Sequence, residues 1–155
     1  LVDLFELVLK VQCKIDVNDY CNNIKKKDGS NQRRWSGDKL MNTEVENVLN
    51  TAFSGSFKLG DVYSVHIKAL IEHFSTDIQL NELISNLRLV EEKIRNTAAH
   101  DIVSVTEKVI EERTGFSAEK IMKMIQKLFS YTGIKVKKEY WDSYDLMNQE
   151  ILEKI

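Results

Sequence analysis

Apolar residues recur at intervals of three and four along most of this chain, the pattern of helices with one buried face. The opening stretch "LVDLFELVLKVQC", residues 1–13, fits a buried helix, and the pattern lets it run on toward "KIDVNDYCNNIKKK". "KDGSNQRRWSGDK" interrupts with polar residues and two glycines and reads as a loop. "NTEVENVLNTAF" predicts a helix with Asn42 or Thr43 as N-cap and an acidic first turn. "SGSFKLG" reads as a second loop, after which Asp61 is placed to cap a helix over "VYSVHIKALIEHF".

The clearest helix begins near Asp77. Leu80, Leu83, Ile84, Leu87, Val90 and Ile94 form one stripe, which leads straight into Arg95. Beyond His100, the residues Ile102, Val105, Val109 and Ile110 predict another helix, ended by Gly115. Their β-branched side chains suit a strand, but their spacing is not two, and spacing outweighs propensity. Ser117 is placed to cap the next helix, with Ile121, Met124, Ile125, Leu128 and Phe129 facing inward and Gly133 ending it. "IKVKK" reads as briefly extended. "YWDSYDLMNQEILEKI" closes the chain as one amphipathic helix that turns Trp141, Tyr144, Met147, Ile151 and Ile155 toward the core.

No internal repeat, low-complexity segment or linker divides residues 1–155, so the pattern predicts a single all-α domain. Its architecture is expected to be a bundle of about five to seven helices. Composition agrees, since proline is absent and only six of 155 residues are glycine. The chain begins at Leu1 and ends in mid-pattern at Ile155, which reads as a piece of a longer protein. No apolar run approaches the ~18 residues of a membrane span, and no secretory leader is visible. Cys13 and Cys21 form no CxxC motif and read as reduced thiols of a cytoplasmic protein.

Net charge is −2, which excludes a globally basic nucleic-acid binder. Positive charge is nevertheless concentrated. Residues 10–39 carry eight Lys or Arg against four acids, and residues 116–138 carry six Lys against one Glu. Lys25, Lys26, Lys27, Arg33 and Arg34 beside Trp35, and Lys135, Lys137 and Lys138 beside Tyr140 and Trp141, are candidates to guide RNA through phosphate contacts and stacking. A solvated surface is the plainer reading of each basic segment taken alone. Trp141 and Tyr144 continue a helical stripe and are assigned to the core.

His66 and His73 sit seven residues apart, roughly 10.5 Å along a helix axis. One metal ion with ~2 Å bonds does not join both easily. They read as surface or interface histidines.

"KIRNTAAHDI" is the stretch with candidate chemistry. It places Arg95 and His100 five residues apart, a spacing that yields roughly 0.3 matches by chance in such a chain and so decides nothing alone. On a straight α-helix the two side chains diverge by roughly 140°. To act on one phosphate they need a helix break, long side-chain reach or a second copy of the motif. Asn96 or Thr97 could cap such a break. Ala98 and Ala99 are small enough to let a second helix approach, and a twofold dimer there brings two Arg and two His into one cleft. Arginine grips phosphate with a planar fork of donors, while histidine exchanges protons near neutral pH. RNA presents a 2′-hydroxyl next to each phosphate. With His100 as general base or acid and Arg95 stabilising phosphoryl charge, the 2′-oxygen attacks in line. The products are a 2′,3′-cyclic phosphate and a free 5′-hydroxyl. This chemistry calls for no metal and no other cofactor, and the sequence offers no carboxylate cluster to bind one.

The string Arg95-Asn96-Thr97-Ala98-Ala99-His100 matches the R-polar-xxx-H motif of HEPN domains. "IRNTAAH" after a leucine-striped helix, followed by the terminal "YWDSYDLMNQEI", is similar to the C-terminal domain of the type III-A CRISPR accessory ribonucleases. The resemblance implies a HEPN-type helical bundle, often dimeric, that cleaves single-stranded RNA without metal. It implies catalytic roles for Arg95 and His100 and a supporting role for Asn96. In that family an upstream Rossmann-like sensor domain binds cyclic oligoadenylate and activates the HEPN dimer, so the activator is expected to bind outside this chain. The alternative is a HEPN module that binds nucleotide or RNA without cleaving it, or the toxin of a HEPN/nucleotidyltransferase pair.

Overall fold

The computed structural model describes residues 1–17, 59–95 and 105–155, and among them every regular element is helical. Helix α1 spans Val2–Val8 and continues as a π-helical segment, Leu9–Cys13. Its sequence is apolar on nearly every side, and Leu4, Phe5, Leu7, Val8 and Leu9 are all buried. The element does not run on toward residue 27 as the pattern allowed. Lys14 adopts a left-handed conformation with φ 60° and turns the chain away. That conformation ends a helix even where the apolar pattern continues.

Helix α2 spans Leu59–Phe74. Leu59 and Gly60, expected in a loop, are already helical, so Asp61 lies inside the helix and is not its N-cap. A helical glycine costs about 1 kcal/mol. Burial of Ile67, Leu70 and Ile71 outweighs that, at roughly 1.5–3 kcal/mol for each side chain.

Helix α3, Ile78–Val90, forms as the sequence predicts. Asp77 stands in extended conformation before it and accepts the Leu80 N–H at 3.0 Å. The predicted stripe is the buried face: Leu80, Leu83, Ile84, Leu87 and Val90 are buried and Ile94 packs partly against the core. Helices α2 and α3 pack together, and at their edge Ser85 donates to Glu72 at 2.9 Å. After Val90 the helix changes to π geometry over Glu91–Arg95.

Helix α4 is Glu107–Thr114, capped by Thr106, which accepts the Val109 N–H at 3.4 Å. It starts later than its apolar pattern suggested: Val105 lies outside it and is 40 % exposed, and Ile102 falls outside the described residues. Helix α5, Ala118–Ser130, is capped by Ser117, which accepts the Lys120 N–H at 3.2 Å. Its inward face buries Met124, Leu128 and Phe129.

The dipeptide Thr-Gly closes α4 and stands in the turn just after α5, and both places use it alike. Gly115 and Gly133 each have φ 73°, a backbone that glycine adopts without steric cost. The buried hydroxyls of Thr114 and Thr132 donate back to the carbonyls of Ile110 and Phe129, each at 2.7 Å. They accept from the N–H groups of Phe116 and Ile134, each at 3.1 Å. Each threonine hydroxyl thus adds a second hydrogen bond to a carbonyl near the helix end and, by accepting the N–H two residues on, steers the chain out of the turn.

The C-terminal stretch is not one helix. It divides into a single turn, α6 (Glu139–Asp142), and α7 (Tyr144–Leu152), with Ser143 extended between them. The Ser143 hydroxyl accepts the Leu146 N–H at 3.4 Å, so a capping residue restarts the helix where the apolar spacing saw none. Tyr140 and Ile151 enter the core, whereas Tyr144, assigned inward, is 67 % exposed. Helix α1 is the centre of the assembly, packed against α2, α5 and α7, and α3 packs against α2 and α5.

Candidate functional site

Arg95 is the last residue of the π-helical segment that follows α3. Asn96 and His100 lie outside the described residues, as do Lys25, Lys26, Lys27, Arg33 and Arg34. The two described elements that flank the motif are in contact, because α4 packs on the segment Glu91–Arg95. The segment Glu91–Arg95 and α4 therefore lie side by side, the former continuing from the buried stripe of α3.

In the π geometry of Glu91–Arg95 the N–H bonds run five residues back instead of four, so Arg95 stands out of the α-helical register of α3. Single π turns inside helices recur at functional sites.

The second basic segment is partly described. Lys135 and Lys138 are exposed. Lys137 lies 2.9 Å from Glu150 on α7 and 5.6 Å from the centre of the Tyr140 ring. The Tyr140 hydroxyl donates to the same Glu150 carboxylate. That hydrogen bond, followed by the one from Lys137, holds the Glu150 carboxyl below its usual range. The hydrogen bond to Glu150 in turn raises Lys137 above the ordinary lysine value. Burial pushes the Tyr140 phenol up, and its bond to the carboxylate adds to this. The three groups form a clamp that lays α7 on the turn before it. Of the three lysines, Lys137 is shared with Glu150, while Lys135 and Lys138 stand exposed.

His73, half-buried on α2, meets the Phe74 ring edge-on at 4.7 Å. Among the described residues no three His, Cys, Asp or Glu side chains converge to hold a metal ion.

Sequence spacing did not reveal the groove beside the π segment. Leu1, Val2 and Asp3 at the start of α1, Val90, Glu91 and Ile94 leading to Arg95, and Tyr144 at the start of α7 line a groove of about 460 Å³. Glu91 is buried, at 8 % exposure. Its signal in the sequence was a carboxylate at the fourth residue after Leu87, on the apolar stripe itself. Tyr144 gave none, because its exposure depends on the helix break at Ser143.

The model of the Cas_Csm6 HEPN domain matches residues 1–152. No curated protein and no solved structure matches the chain. The family match spans nearly the whole sequence, and the chain belongs to the Csm6-type HEPN family of CRISPR-associated nucleases. Among the described residues, no helix is long and apolar enough to cross a membrane.

Proposed function

We propose that residues 1–155 form one HEPN domain that cleaves single-stranded RNA without a metal ion, acting in the cytoplasm in type III CRISPR antiviral defence. The observation that carries this is the R-polar-xxx-H string, Arg95 to His100, beginning at the end of a π-helical segment within a Csm6-type HEPN chain. His100 acts on the 2′-hydroxyl proton as general base, or protonates the leaving 5′-oxygen as general acid. Arg95 neutralises charge that builds on the phosphoryl oxygens. Asn96 supports them. The 2′-oxygen bonds to phosphorus as the bond to the 5′-oxygen breaks, which leaves a 2′,3′-cyclic phosphate and a 5′-hydroxyl.

The active site is composite, with an Arg95 and a His100 from each of two copies meeting across a twofold axis. Ala98 and Ala99 supply the close approach. Lys135, Lys137 and Lys138, together with Lys25, Lys26, Lys27, Arg33 and Arg34, guide the RNA backbone. A cyclic oligoadenylate activates the protein from an upstream sensor domain and does not bind this chain.

The test is cleavage of an unstructured RNA in EDTA by the wild type, Arg95→Ala and His100→Ala. The wild type is expected to cut and both variants to be inactive. An RNA carrying 2′-deoxyribose at the scissile position is expected to resist. Equal cleavage by all three proteins would remove the proposal.

A further inference from the structure

We propose that the exposed face of α5 is a track for the phosphate backbone of single-stranded RNA, with Lys120, Lys123 and Lys127 as its contacts. This rests on the ribonuclease reading above and adds to it a helix face and three binding residues outside the motif.

Positive charge is concentrated on this part of the chain. Residues 116–138 hold six of the 22 basic residues and one of the 24 acids, in a chain of net charge −2. A polyanion is drawn to such a segment while acidic segments repel it. Within α5, Lys120, Lys123 and Lys127 are all exposed. Helical positions i, i+3 and i+7 fall within about 60° of arc and span about 10.5 Å along the axis. The three lysines therefore form a row that one strand can follow, and each contact releases a counterion.

Their charge is available to a phosphate. Glu119 is the only carboxylate of the helix, and it pairs with Lys123. An exposed pair of this kind is weak. Lys120 lies over the Phe116 ring, 4.7 Å from its centre, which orders the side chain without cancelling its charge. The opposite side of α5 is occupied, since Met124, Leu128 and Phe129 are buried in the core. The helix cannot lay that apolar face on a membrane, so what it presents is a row of cations.

The row also has a direction in the bundle. Helices α3 and α5 pack together and are each thirteen residues long. The Tyr131 hydroxyl, just past α5, bonds to Asp77, just before α3. The two helices are therefore antiparallel, and α5 begins at the end of α3 that leads into Glu91–Arg95. Helix α4 touches both that segment and α5, in agreement. Lys120 starts the row at that end of the bundle, and Lys127 lies farther from it.

The experiment measures fluorescence-anisotropy binding of a single-stranded RNA dodecamer between 50 and 200 mM salt, in a His100→Ala background. It compares that protein with the triple variant Lys120→Gln/Lys123→Gln/Lys127→Gln. A control, Lys68→Gln/Lys108→Gln/Lys154→Gln, removes equal charge elsewhere. Three lost contacts at about 0.7 each should flatten the log–log salt slope by about 2. Over this fourfold range of salt the parent should then lose roughly 15–20-fold more affinity than the α5 triple variant. The control and the triple Lys→Arg variant of the α5 positions should keep the parent slope.

An unchanged slope in a folded α5 triple variant would overturn the proposal. So would an equal loss in the control, which would make the effect one of net charge alone. Equally tight, equally lysine-dependent binding of an RNA duplex would overturn the single-strand assignment. Binding is read without cleavage, so the two readings fail separately. Cleavage that is indifferent to the three lysines in both affinity and salt slope removes only the track. Lysine-dependent binding with no cleavage by the His100 protein removes only the catalysis.

Discussion

Helices α1 and α3 both pass into a five-residue π-helical segment, yet the two segments serve different ends. "LKVQC" follows α1, with Leu9 fully buried, and then stops at Lys14, whose left-handed backbone turns the chain. "EEKIR" follows α3, holds one buried carboxylate, Glu91, and delivers the chain to Arg95. The backbone geometry is shared, so the difference comes from the side chains. An apolar π turn widens the helix into the core and adds packing. The π turn after α3 keeps one carboxylate, Glu91, buried while Glu92 and Lys93 stay exposed. The same deviation from α geometry therefore buries an apolar residue in one place and a charged one in the other.

The largest test of that contrast is functional. Arg95→Ala and His100→Ala are expected to lower the RNA cleavage rate by about 10²–10⁴-fold, the range for losing an acid–base or charge-stabilising group. Their urea midpoints should stay close to wild type. A loss of fold that accompanies the loss of activity would place the second π segment with the first.

Leu9→Ala should do the reverse. Removing a fully buried leucine costs about 2–5 kcal/mol, read from urea unfolding, while the protein that remains folded keeps its cleavage rate. A smaller step sharpens the first segment further. Lys14→Gly relieves a left-handed lysine and is expected to stabilise by about 0.5–1 kcal/mol, measured as a rise in Tm.

The smallest effect concerns pH. Burial pushes the Cys13 thiol, at the end of the first segment, above its ordinary range. Its folded pKa is raised, so the contribution is fully present below the unfolded value near ~8.5 and fades as pH climbs through the folded value. Between pH 7 and 9.5 the wild type should lose slightly more stability than Cys13→Ala, as compared by urea midpoints. Identical pH dependence in the two proteins would show that the thiol is solvated at the helix end.

The legible parts of the fold were those written in local chemistry. Asp77, Thr106 and Ser117 each precede a helix and each caps it; of these, Ser117 is legible in the sequence as a cap and Asp77 as the start of a helix. The stripe from Leu80 to Ile94 is the buried face of α3. The errors share a cause, which is that a regular apolar spacing carries past a break made by backbone or by a single polar side chain. Lys14 and Ser143 interrupt patterns that would otherwise continue, and α2 begins two residues before the aspartate chosen as its cap. The candidate motif was legible as a string, since the residue types and their order lie in six consecutive positions. The groove was not, because Asp3, Glu91 and Tyr144 are separated by most of the chain and meet only when α1, α3 and α7 pack.

By itself the sequence determined that the chain is helical, which faces of α3 and α5 are inward, and which residues could act on a phosphate. Those properties follow from side-chain periodicity and pKa, which a residue carries wherever it sits. Tertiary structure alone decided that the register shifts before Arg95, that Lys137 shares its charge with Glu150, and that Tyr144 faces solvent in a groove with Glu91 and Ile94. Each depends on contacts between residues distant in sequence or on a backbone choice that packing selects, and spacing along a chain does not encode either.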